Sequence, residues 1–216
     1  MSCYAHPVTE ADILASAFSS AISAVWHPVL LYRNDCFVGM GTLYRNEIQE
    51  ERIVTAGHLF QNDGQSYLWS FRRLHPLAGY REEIATAAFI PGADFLDMAF
   101  CVPGKQVLIR GFCPSHMGAF ETSNFRCMLL PQPIEIRSLV SGKAALWGGT
   151  VECGMVMYAV IPWNTLPGDS GTGFVGVDGE LFVLKGSVEI EPEDYSVIGV
   201  PAGTRHVSFL LGTGFV

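Results

Sequence analysis

From Val29 to the C-terminus, turn signals cut the chain into short runs of β-branched and aromatic residues, and this punctuation limits the folds open to it. Arg33-Asn34-Asp35, Asn62-Asp63-Gly64, Pro91-Gly92, Pro103-Gly104, Ser141-Gly142 and Asp178-Gly179 each separate two such runs. Asn, Asp and Gly tolerate left-handed backbone and Pro presets a bend, so these positions reverse the chain. The pattern predicts strands at 29–32, 36–44, 52–56, 66–72, 84–90, 97–102, 106–112, 125–130, 133–140, 143–150, 153–161, 172–177, 180–190, 195–200 and 205–211. Many short strands with no long helices between them predict an all-β sandwich or barrels and disfavour a parallel α/β sheet. A connector from Cys113 to Met117 and Gly118 divides the strands into a first unit over 26–115 and a second over 116–216.

Residues 1–25 form a separate extension, with a helical pattern over 9–25. Thr9 and Asp12 stand three apart, as in a capping box. Ile13, Leu14, Ala17, Phe18, Ala21, Ile22 and Val25 then repeat at helical spacing. No Lys or Arg lies on the polar face, so the segment reads as a helix packed outside a sheet and not as a membrane-surface helix.

Composition removes several classes. A chain that is 49% hydrophobic and only 16% charged can bury a core and does not read as disordered. Its apolar runs are all shorter than the ~20 residues of a membrane span. A net charge of −8 speaks against nucleic acid, whose phosphates need clustered Lys and Arg. The six cysteines include no C-x-x-C pair, which argues against a zinc ribbon and against a structural metal. With no secretory leader pattern in view, the expectation is free, mostly buried thiols in a reducing compartment, hence a cytoplasmic protein of a bacterium or a virus-infected cell.

Chemistry concentrates in three places. In Pro167-Gly168-Asp169-Ser170-Gly171-Thr172-Gly173, glycines flank a serine and an apolar strand follows. A nucleophilic hydroxyl needs such a tight turn, together with backbone N–H groups aimed at the oxyanion; those of Gly168 and Ser170 are placed to serve. Ile53-Val54-Thr55-Ala56-Gly57-His58 carries an imidazole at the end of a β-branched strand, where it can act as the base. Phe95-Leu96-Asp97-Met98-Ala99-Phe100 holds a carboxylate within an apolar run, where an unpaired charge would be costly. An imidazole donating to Asp97 resolves that cost and fixes the ring's tautomer.

The segments T-A-G-H (55–58), D-M-A-F (97–100) and G-D-S-G (168–171), in that order, resemble the signature motifs of chymotrypsin/trypsin-like serine proteases. The resemblance covers Val29 to the C-terminus. It implies two antiparallel six-stranded β-barrels, with His58 and Asp97 from the first and Ser170 from the second. It further implies endopeptidase activity on a protein or peptide substrate, without a cofactor. Asn164 falls at the base of the S1 pocket, where an asparagine argues against strict Lys/Arg specificity. The segment Ser187-Val188-Glu189 pairs with the substrate backbone, with Ser187 reaching Asp97, and Gly199 lines the far wall of the pocket.

Departures from the family pattern are informative as well. Secreted members carry cysteines where this chain has Leu59 and Leu166, and no Ile-Val-Gly-Gly-like segment supplies an activating amine, which leaves Asp169 in need of another partner. The motif T-x-x-G-x-S-G (165–171) also matches plant-virus polyprotein proteases. The alternative function is a catalytically silent or partner-activated binding module on the same fold. An α/β-hydrolase is disfavoured because its triad runs in a different order.

Overall fold

The computed structural model describes residues 26–45, 48–60, 66–74, 81–90, 97–103, 108–110, 126–153 and 156–213. The expected helix over 9–25 and the connector at 113–124 lie outside them. Thirteen strands account for most of the described chain. Strands β1 (His27–Arg33), β2 (Cys36–Arg45), β3 (Glu51–Ala56), β4 (Ser66–Leu74), β5 (Arg81–Ile90), β6 (Met98–Pro103) and β7 (Leu108–Arg110) fall within 26–115. Strands β8 (Arg126–Ser138), β9 (Ala144–Cys153), β10 (Val156–Ile161), β11 (Gly173–Gly176), β12 (Leu181–Glu189) and β13 (His206–Gly212) fall within 116–216.

The first group forms one antiparallel sheet in the order β1-β2-β3-β6-β5-β4-β7. It curls enough for β4 to pair with β1 as well, from Val29↔Arg73 to Arg33↔Trp69. Strand β1 is buried on both faces, which explains its unbroken apolar run. Val29 and Leu31 point inward to Ile53, Trp69, Phe71 and Ala99. Leu30 and Tyr32 pack on Met40 outside.

The second group closes into a six-stranded barrel, β10-β13-β12-β11-β8-β9. Its interior takes a residue from every strand: Ile136, Ala145, Ala159, Phe174, Phe182 and Leu210. The outer face of the barrel is also apolar where it meets the first sheet, and Val54 and Met98 pack there with Val160, Val183 and Phe209. Burial of this kind contributes about 1.5–3 kcal/mol for each large side chain.

Three expectations need correction. The two strands expected at 125–130 and 133–140 are one, β8, with an irregular register between Leu129 and Ile134. Pro131 and Pro133 are tolerated because β11 pairs only with 136–138, leaving that stretch an edge. The strand expected at 195–200 is instead a 3-10 turn, Pro192–Asp194, followed by one helical turn, Tyr195–Ile198. Proline at the start of the turn and left-handed Gly199 (φ 73°) at the end of the helix punctuate it as helices are punctuated. Finally, Cys36 is disulfide-bonded, whereas Cys101 and Cys127 are free thiols. The bonded Cys36 removes the cysteine argument for a reducing compartment. Among the described residues no helix is long and apolar enough to cross a membrane.

Candidate active site

His58 and Asp97 meet where the end of β3 crosses the start of β6. After Ala56 the chain enters a 3-10 turn, Gly57–Phe60, which carries His58. Asp97 immediately precedes β6, and its φ of 51° is left-handed, a conformation uncommon for a residue with a Cβ. Four hydrogen bonds converge on it. Its carbonyl accepts the Gly57 N–H at 2.9 Å and the Lys185 ammonium. Its carboxylate Oδ1 accepts the His58 backbone N–H at 2.5 Å, and Oδ2 lies 2.8 Å from His58 Nδ1.

Asp97 is 2% exposed, and a carboxylate that is ionised only accepts, which assigns the proton in this contact to Nδ1. Nε2 is then left with a free lone pair. At 14% side-chain exposure the ring still reaches solvent. This is the orientation a general base requires.

Ser170 comes from the loop between β10 and β11. Its carbonyl accepts the Met40 N–H of β2 at 2.9 Å, which fastens the loop to the first sheet. Gly171 donates to Leu184 O of β12 at 2.9 Å, which fastens it to the barrel. At φ 87°, Gly171 is packed so closely that a Cβ there would sit 2.0 Å from Met40 O, so no other residue fits without movement. A Cβ on Gly39 would lie 3.0 Å from Ser170 O and 2.6 Å from Leu59 Cδ1. The backbone of Ser170 and the neighbour of His58 therefore adjoin the same point. The Ser170 hydroxyl itself makes no hydrogen bond with His58 or any other described residue.

Two N–H groups of the turn, those of Gly168 (φ 95°) and Ser170, have no partner among the described residues. Asp169 is partnered within its own loop: Oδ2 accepts the Leu166 N–H at 2.9 Å, and its carbonyl accepts the Thr172 hydroxyl at 2.6 Å. That partner was invisible in the sequence.

The residues that the resemblance assigns to specificity divide. Ser208 donates to Trp163 O at 2.7 Å and lies 2.5 Å from Thr165 Oγ1, which holds both neighbours of exposed Asn164 against β13. Ser187 pairs with Ser208 and donates to Thr165 O at 3.4 Å, so it stands with this group. Val188 and Glu189 continue the strand. Gly199 packs on β9, where a Cβ would meet Gly148 O at 2.6 Å. Ser187 does not reach Asp97.

The residue that reaches Asp97 is Lys185, two positions earlier, which sequence reasoning missed. The β12–β13 register breaks between Leu184 and Gly186, a bulge that leaves Lys185 without a partner on β13 and redirects its side chain. Lys185 is 2% exposed. Burial pushes its ammonium down to about 8, against the pull of Asp97 toward the charged form. A lysine directly after the apolar run Leu181-Phe182-Val183-Leu184, within a strand, was the available signal.

Among the described residues no cluster of His, Cys, Asp or Glu can hold a metal ion. A pocket of about 460 Å³ between His27, Tyr44, Arg45, Gln49, Glu51 and Arg73 includes none of the residues above. No family model matches this chain, and no curated protein matches it either.

Proposed function

We propose that the chain is a serine endopeptidase of chymotrypsin-like architecture, with Ser170 as nucleophile, His58 as base and Asp97 as its orienting partner. One observation carries this reading: a buried carboxylate grips both the backbone and the imidazole of His58, next to a glycine-flanked serine loop. The β1–β4 pairing, which returns the first sheet to its own start, supports the reading of two barrels. The edge of β12 supports peptide binding. Beyond Leu184, no described strand is bonded to it on the β11 side, and an extended peptide can add there by backbone pairing. With Lys185 at Asp97, that edge begins two residues earlier than the resemblance implied.

In this mechanism Ser170 Oγ attacks the scissile carbonyl carbon while His58 Nε2 takes the hydroxyl proton. Asp97 stabilises the imidazolium that forms, and the N–H groups of Gly168 and Ser170 donate to the oxyanion. The imidazolium then protonates the leaving amine, which departs to give the acyl-enzyme. Water attacks the ester, its proton passing to Nε2, and Ser170 is released with the acid product.

A fluorophosphonate probe tests the assignment. Wild type is labelled, whereas Ser170→Ala is not and His58→Ala is labelled only slowly. A folded wild-type chain that resists the probe would make the protein a binding module on this fold instead, and equal labelling of Ser170→Ala would remove Ser170 as the nucleophile.

A further inference from the structure

We propose that Lys185 is a positioning residue for the Asp97–His58 pair, clamping the Asp97 turn from the opposite side of the site. Asp97 occupies left-handed backbone, which aspartate tolerates at a small cost that its surroundings offset. Gly57 and His58 supply bonds from the same sheet; Lys185 supplies the one that comes from the barrel. Its neighbour Leu184 accepts the Gly171 N–H beside the nucleophile. Two consecutive residues of β12 thus hold the serine loop and the carboxylate turn in one frame. The bulge makes this arrangement possible, because without it Lys185 would stay in register with β13. A buried lysine is an expensive way to donate one hydrogen bond, and a neutral side chain would serve if the strand needed only packing.

The role in turnover rests on the peptidase reading, while the geometric role does not, so two readouts separate them. The first is the low-field proton NMR resonance of His58 Nδ1–H, assigned by its loss in His58→Ala. The second is the rate of fluorophosphonate labelling. Lys185→Met, with an unchanged near-UV circular dichroism spectrum, is expected to lose or broaden the resonance and to label about 100-fold more slowly, the scale of a small misplacement of catalytic groups. Lys185→Arg is expected to recover part of both.

If Ser170→Ala is labelled like wild type, the peptidase reading fails and the resonance alone judges Lys185. A folded Lys185→Met with the wild-type resonance overturns the proposal, as does the absence of the resonance from wild type. If the Met variant does not fold, Lys185→Gln is judged by the same criteria. Failure of both to fold makes Lys185 a structural residue and overturns the proposal too.

Discussion

Replacing Lys185 by Met should make the protein more stable at neutral pH, and the gain should vanish in alkali. A lysine that titrates at about 8 when folded and at 10.5 when free is held charged by the native state at a cost. At pH 7 that cost is about 3 kcal/mol. Methionine has similar length and carries no charge, but it forfeits the hydrogen bond to Asp97 O, worth about 1 kcal/mol net. The expected net gain at pH 7 is therefore about 2 kcal/mol.

The sign with pH follows from proton counting. Between pH 8 and 10.5 the unfolded wild-type chain keeps a proton that the folded chain has released, so wild-type stability rises through this window relative to the variant. By about pH 11 the advantage is gone and the missing hydrogen bond leaves the variant slightly behind. Urea unfolding followed by tryptophan fluorescence, run on both proteins from pH 7 to 11, measures the difference directly. The difference also cancels the titration of Tyr32, Tyr44 and Cys101, each raised by burial. A variant less stable than wild type at pH 7, or a difference that stays flat with pH, would contradict a Lys185 held charged at a cost.

Other outcomes follow from the same geometry. Asp97→Asn should cut turnover by about 10⁴-fold while leaving the fold intact, because the amide no longer enforces the Nδ1–H tautomer; kcat on a peptide substrate measures this. Gly171→Ala should cost more than about 2 kcal/mol in urea unfolding, since its Cβ would collide with Met40 O and Thr55 Oγ1 at a positive φ. Cys101, buried and pushed up to about 12, should resist maleimide in the native state. Partly exposed Cys127 should react before Cys101, as peptide mass spectrometry can report.

Much of the architecture can be read from residue order. Asn34-Asp35 and Ser141-Gly142 mark reversals that the chain makes, and the β-branched and aromatic runs between turn signals place β1 to β3 and β9 to β13 within a few residues of where they lie. The pairing of His58 with Asp97 was legible because an aspartate in an apolar strand demands a donor, and a histidine at a strand end can supply one. Lys185 was not legible in the same way. Its contact depends on a bulge, and a bulge changes register without any obligatory residue type to announce it. The turn at Tyr195–Ile198 was missed because Tyr, Val and Ile favour strands, while Pro192 and Gly199 decide the matter from outside the run.

The bond from Met40 to Ser170 has a mechanical consequence. By sequence Ser170 belongs to the barrel, yet its carbonyl is tethered to the sheet that carries His58. Any slippage between the two halves would drag the serine along with the histidine until that tether gave way. Forces that pry sheet and barrel apart would thus loosen their other contacts before they parted Ser170 from His58.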